Sequence, residues 1–241
     1  MGFTGEQENL VVIQCNSVYE HRAPWVYAFM LIKEEGKLDQ ITASPFQCPG
    51  HIHKLLNDGR ILTATATKEL ILWDVRKQVQ CGKLYDPDLV RSTPPSKTGI
   101  LPPKTPPMPA HIDDITYITV SPDGSHLVSG SHDKAVKLWN LTTGTLVKTF
   151  LGHRAKITCL DISEDNQMIA SGSSDQTIML WNLNYNIGGG GLITPLNHFY
   201  AHASIVQVKL SQGGKYVVAV VDDKLRKLVF LKLENWEVKE D

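Results

Sequence analysis

Along residues 157–163, Ile157, Cys159, Asp161 and Ser163 fall on one side of the chain and Thr158, Leu160 and Ile162 on the other. That period of two is the signature of a strand. Asp165-Asn166 then supplies a turn, residues 168–173 read as a second strand, Ser174-Asp175 as a second turn and residues 177–183 as a third strand. In the stretch before, Gly144 closes a turn at 142–144 that reverses the chain into a strand over 145–150. Four short strands per unit, spaced roughly 8–12 residues apart and with no helical period anywhere, predict antiparallel meanders and an all-β fold.

The meander repeats. The run from Ser121 to Leu141, which carries Ser129-Gly130-Ser131, Asp133 and Trp139, is matched 42 positions later by the run from Ser163 to Leu183, with Ser171-Gly172-Ser173, Asp175 and Trp181. His111 and His153 both lie 28 positions before their tryptophan. A third copy ends at Trp73-Asp74, with Thr63-Ala64-Thr65 at the Ser-Gly-Ser offset, Thr67 where Asp is expected and no upstream His. A fourth, weaker copy has His202, Ser211, Asp223 six positions before Val229, and Val229 at the Trp position. Residues 27–38 resemble residues 136–146 and give a partial fifth copy. A fixed period of this length marks a repeat architecture.

Gly152-His153 with Trp181-Asn182, and Trp73-Asp74, resemble the WD40 repeat, whose unit opens near Gly-His and closes near Trp-Asp. The resemblance covers residues 45–235. It implies a WD40-type β-propeller of about four to five four-stranded antiparallel blades. Its expected divisions are a degenerate partial blade at 1–44, repeats at 45–84, 111–151 and 152–197, a Pro-rich inserted loop at 85–110, and a degenerate terminal repeat at 198–241. In that family a histidine, a Ser or Thr, an Asp and a Trp form a buried hydrogen-bond chain. Carried over, this implies one chain of His111, Ser129 or Ser131, Asp133 and Trp139, and another of His153, Ser171 or Ser173, Asp175 and Trp181. Each contact of this kind stabilises by roughly 1–3 kcal/mol, which assigns these His and Asp residues to structure rather than catalysis. Many family members close as seven blades, so about five units suggest a fragment or short isoform of a longer chain, with 225–233 and 10–15 as candidate joining strands.

Composition narrows the function. With 24 Lys and Arg against 25 Asp and Glu the net charge is -1, so no global basic field draws the chain to nucleic acid or anionic lipid. Hydrophobic residues at 42% and charged residues at 20% are an ordinary globular mix. Cys15, Cys48, Cys81 and Cys159 contain no C-x-x-C pair, so they read as reduced core residues and not as a zinc or redox site. No apolar run approaches the roughly 20 residues that cross a bilayer, and residues 1–9 lack a signal-peptide pattern. The expected compartment is the cytoplasm, with the nucleus open.

Eight of the 13 prolines fall between Tyr85 and Ala110, which bars a central strand there and predicts a long exposed loop. Pro103-Lys104-Thr105-Pro106 is a P-x-x-P that would suit an SH3 groove, and Thr93-Pro94 and Thr105-Pro106 could take proline-directed phosphorylation; a plain spacer is the simpler reading. Residues 188–191 are four glycines without a phosphate-loop pattern, and the Asn140-Leu141-Thr142 sequon lies on a predicted strand. Trp73, Asp74 and Arg76 resemble the box by which some propellers dock on the adaptor of cullin-type ubiquitin ligases, with Thr67 in place of its acidic residue. No nucleophile-base pair or metal spacing is left over, so no catalytic residue, cofactor, metal or small-molecule substrate is expected. The expected function is a non-enzymatic scaffold with protein partners. The resemblance places the binding rim at His132, Ser174 and Asp222, with Arg154 and Lys156 from neighbouring loops. The alternatives are a sensor propeller of a NACHT-like signalling protein or a ligase substrate receptor.

Overall fold

A computed structural model describes residues 9–15, 25–32, 37–40, 46–47, 50, 52–56, 58–75, 77–92, 109–183, 194–223 and 227–233. Their strands form five antiparallel sheets, four of four strands and one of three. The chain divides into two compact units, residues 1–114 with 143–145, and residues 115–142 with 146–241.

In the first unit β1 (Asn9–Cys15) pairs along its whole length with β2 (Trp25–Ile32), while β3 (Lys37–Gln40) and β4 (Phe46–Gln47) share the other edge of β2. This sheet is therefore three strands wide and does not follow the meander order. The next sheet does: β5 (Ile52–Leu55), β6 (Arg60–Ala64), β7 (Leu70–Asp74) and β8 (Val79–Leu84). A helix, α1 (Pro87–Ser92), follows. The segment 85–110 is thus not wholly an exposed loop. Asp86 and Ala110 are buried, and the Asp86 amide donates to the Pro109 carbonyl, which ties the two ends of the excursion together. Its P-x-x-P and Thr-Pro pairs, and the glycines at 188–191, lie outside the described residues.

In the second unit, β9 (Ile115–Val120), β10 (His126–Ser131), β11 (Val136–Asn140) and β12 (Thr145–Phe150) form one sheet. The next holds β13 (Ile157–Ile162), β14 (Met168–Ser173), β15 (Thr177–Asn182) and β16 (Asn197–Tyr200). The last holds β17 (Ile205–Leu210), β18 (Tyr216–Val221) and β19 (Leu228–Lys232). Strand β16 carries the second of these sheets to Tyr200, past the boundary expected at 197, because its residues pair with β15. Among the described residues β19 pairs with β18 and β1 with β2, each at the edge of its own sheet.

The sheets of the second unit stack, and two small features let them approach. A bulge recurs at the second residue of each first strand, at Thr116, Thr158 and Val206. It turns Thr116 Oγ1 onto the Ile157 carbonyl of the next sheet at 2.6 Å, and Thr158 Oγ1 onto that of Ile205 at 2.5 Å. The glycine of each Ser-Gly-Ser accommodates the same isoleucine: a Cβ on Gly130 would lie 2.5 Å from Ile157 Cγ2, and one on Gly172 2.5 Å from Ile205 Cγ2. Stacking also overrides the period of two. Strand β14 is buried at all six positions and β13 at five of six, because both faces meet neighbouring sheets. Trp181, Phe150, Leu138, Ile157 and Leu160 share one core, and Cys159, Leu180, Ile205, Val208 and Ala219 another.

Two further expectations change. Cys159 is buried, and burial pushes its thiol up to about 11, but Cys81 is exposed on β8 and is not a core residue. In the last sheet the partner of Val217 is Leu231, the place Trp181 takes opposite Ile169, so Leu231 and not Val229 stands at the Trp position. The turn between β18 and β19 is longer than its counterpart between β14 and β15, which moves the register by two.

Candidate functional site

The 152–197 repeat holds a four-residue network centred on His153, whose side chain is fully buried. Trp181 Nε1–H can only donate, and it does so to Ser171 Oγ at 2.8 Å. Ser171 Oγ lies 2.7 Å from His153 Nε2 and 3.4 Å from the Met179 carbonyl oxygen. The Asp175 carboxylate can only accept, so the imidazole proton sits on Nδ1, donated to Oδ2 at 3.0 Å, and Nε2 of the neutral ring accepts from Ser171. Of the two serines considered, Ser171 is the one in the network; Ser173 Oγ donates to the carbonyls of Ala155 and Lys156 and accepts from the Asp175 amide.

Asp175 collects more donors. The Arg154 amide reaches Oδ2 at 2.7 Å, and the Thr177 amide and hydroxyl reach Oδ1 at 2.9 and 2.6 Å. Burial alone would raise this carboxyl; the Thr177 and Arg154 donations and the adjacent His153 outweigh it and hold it below the usual carboxylate range. Burial lowers the His153 pKa despite the attraction of Asp175, so the imidazole is neutral. A neutral imidazole held in one tautomer and an ionised carboxylate spent on two amides and a hydroxyl make a clamp on the loop at Arg154.

The other repeats carry parts of the same device. Trp139 Nε1–H donates to Ser129 Oγ at 2.8 Å, and Asp133 accepts the Ala135 amide at 3.0 Å while its own amide donates to Ser131. His111 is fully buried and lies in the first unit. Trp73 Nε1–H donates to Thr63 Oγ1 at 3.0 Å. In that repeat the carboxylate comes two positions later than expected: buried Glu69 accepts from Thr67 Oγ1 at 3.0 Å and pairs with Lys83 at 2.8 Å. In the terminal repeat Ala219 stands at the serine position by register, so a histidine there has no hydroxyl to meet. His202 is exposed and packs edge-on against Tyr200, centroids 4.7 Å apart.

Because the strands alternate in direction, the turn after β10, the loop before β13, the turn after β14, the loop before β17 and the turn after β18 all lie at one end of the stacked sheets. These segments hold His132, Arg154 and Lys156, Ser174, Ser204 and Asp222 respectively. The structure joins several of them. The Ser174 amide donates to the Lys156 carbonyl at 3.1 Å, Ser204 Oγ donates to Ser174 Oγ at 3.4 Å, and the Asp222 amide donates to the Ser204 carbonyl at 2.7 Å. His132, Arg154, Lys156 and Asp222 are exposed and Ser174 is half-buried.

The family model described as "WD domain, G-beta repeat" matches residues 103–140 and 144–182. The chain carries WD40 repeats. Over 49 residues it is 45% identical to striatin from Homo sapiens, 47% identical to striatin-3 from Rattus norvegicus and 45% identical to striatin-4 from Homo sapiens. Each match covers 20% of this chain and 6% of the relative, so the chain spans a small part of the length of the curated relatives it matches.

Outside the two matched WD40 repeats lie the remaining residues singled out in the sequence. Trp73 and Asp74 sit at the end of β7, where Asp74 accepts the Lys77 amide at 3.0 Å and pairs with its ammonium at 3.5 Å; Arg76 lies outside the described residues. Tyr200 escaped the sequence reading. It is exposed at the end of β16, its hydroxyl donating to Gln176 Oε1 at 2.5 Å, and it lies at the same end of the sheets as His132 and Arg154. No repeat feature marks the position, since it follows residues that match no motif. Among the described residues no group of three or more His, Cys, Asp or Glu could hold a metal ion, and no helix is long and apolar enough to cross a membrane.

Proposed function

We propose that this chain is a non-enzymatic platform for protein assembly, and that the WD40 repeats present its binding residues at the end of the sheets that carries His132, Arg154, Lys156, Ser174 and Asp222. The observation that carries the reading is the division of labour at Asp175. Its carboxylate is consumed internally by His153, Thr177 and the Arg154 amide, and the clamped loop leaves the Arg154 and Lys156 side chains in solvent. The buried His and Asp thus support a surface, the arrangement of a docking site rather than of a reaction centre. The family match and the partial likeness to the striatins favour an interaction module over an enzyme.

The test is affinity capture with the full chain, wild type against His132→Glu with Arg154→Glu. Both residues are exposed, so the double variant keeps the melting temperature and loses most of the partners the wild type retains. An unaltered set of partners overturns the assignment of this rim.

A further inference from the structure

The partner class can be taken one step further, on the footing of the rim just described. Charge in the second unit is unequally shared between the two ends of the sheets. At the rim end Lys134, Arg154 and Lys156 are exposed, with His132 and His202 beside them. At the other end the turns after β9 and β13 expose Asp123, Glu164 and Asp165, and the last sheet exposes Lys215 and Lys232. The carboxylates that could neutralise the rim are turned away from it: Asp133 accepts the Ala135 amide, and Asp175 serves His153, Thr177 and the Arg154 amide.

Lys209 pairs with Asp161 at 2.6 Å and Lys227 with Asp223 at 3.2 Å, whereas Lys134, Arg154 and Lys156, like Lys215 on the last sheet, pair with no carboxylate among the described residues. The fold brings them to neighbouring turns. Gly130, four residues before Lys134, abuts Ile157, the residue after Lys156, and the Lys156 carbonyl accepts the Ser174 amide. Lys156 therefore leaves the surface between the turn of one blade and the turn of the next. Arg154 is fixed two residues away by the Asp175 clamp, and half-buried Ser174 and Ser204 lie alongside. Among the described residues of the second unit, Asp222 on the last sheet is the exposed carboxylate at this end, and exposed Asp114 directly precedes β9.

We propose that this rim takes a carboxylate-rich extended segment of a partner protein, held by Arg154, Lys156 and Lys134. Opposite charge at close range steers such a segment onto the rim and away from the acidic turns after β9 and β13. Arg154 contributes a planar fork suited to a carboxylate, and the two lysines contribute point charges.

The experiment uses the full chain and three labelled peptides of ten residues, all Glu, all Gln and all Lys, read by fluorescence anisotropy. The Glu peptide binds, the Gln and Lys peptides do not, and binding weakens several-fold as salt rises from about 50 to about 200 mM. Arg154→Glu with Lys156→Glu weakens Glu-peptide binding about tenfold. The charge-matched control Lys215→Glu with Lys232→Glu, both exposed and at the opposite end of the last sheet, changes it less than twofold. Arg154→Gln with Lys156→Gln gives a smaller loss in the same direction and replaces the reversal if that variant fails to melt cooperatively. Equal binding of Glu and Gln peptides, or equal losses from both charge-reversed pairs, overturns the proposal. Loss of cellular partners by His132→Glu with Arg154→Glu, without any Glu-peptide binding, overturns the acidic class while leaving the platform standing.

Discussion

Replacing Asp175 by alanine removes one carboxylate and strands four donors. His153 Nδ1–H is the costliest, because its ring is fully buried and the acceptor left within reach is the Thr177 hydroxyl oxygen at 3.1 Å, a weaker partner than a carboxylate. A buried donor left unpaired costs about 1–3 kcal/mol. The Arg154 amide lies in an exposed loop and the Thr177 amide and hydroxyl are half-buried, so water recovers part of their loss. The expected total is therefore about 2–3 kcal/mol. Denaturant unfolding followed by circular dichroism measures it, and amide hydrogen exchange at Arg154 and Thr177 locates it, since both amides lose their acceptor. A cycle with His153→Ala isolates the pair: once the histidine is absent, Asp175→Ala costs less by about 1 kcal/mol or more. A single-variant loss below about 0.5 kcal/mol, or strictly additive losses in the cycle, would refute the network as the anchor of the Arg154 loop.

Two other outcomes follow from the same geometry. His153 binds its proton less readily folded than unfolded, so the unfolded chain carries more protons as the pH falls below about 6.5; its contribution to stability is full above that value and shrinks as pH drops through the lower folded value. Asp175, also lowered, adds a second loss below about pH 3.8, in the same direction. Stability from pH 8 to 5 compared between wild type and His153→Asn checks this: the margin between them narrows with acid, and a widening margin would contradict a histidine held neutral by burial. Gly172→Ala places a methyl 2.5 Å from Ile205 Cγ2 and 2.6 Å from Cys159 Sγ; overpacking of this kind costs about 1–3 kcal/mol. Gly172→Ala with Ile205→Val relieves part of it, and thermal melts showing no loss in the single variant would remove the glycine from the stacking argument.

Local periodicity and the 42-residue offset were enough to give the all-β meander, the turn positions and the alignment of Trp73, Trp139 and Trp181, because strand pairing between neighbours in sequence depends on short-range pattern. The pairing of His153 with Ser171 rather than Ser173 was not legible, since both serines of β14 satisfy the spacing and only the stacked Trp181 decides which faces the ring. Counting from Asp223 put Val229 at the Trp position for a related reason: a longer turn moves the register, and hydrogen bonding, not spacing, selects Leu231. Glu69 stood outside the motif because a carboxylate two positions along reaches Thr67 by a different side-chain length.

By itself the sequence determined the repeat, the strands within it and the residue types of the network, all properties of segments shorter than about 50 residues. Tertiary structure alone decided what is buried on both faces, why Gly130 and Gly172 carry no side chain, and which charges meet solvent. Those depend on the distance between one sheet and the next, and that distance is set by isoleucines and threonines more than 25 residues away in the chain.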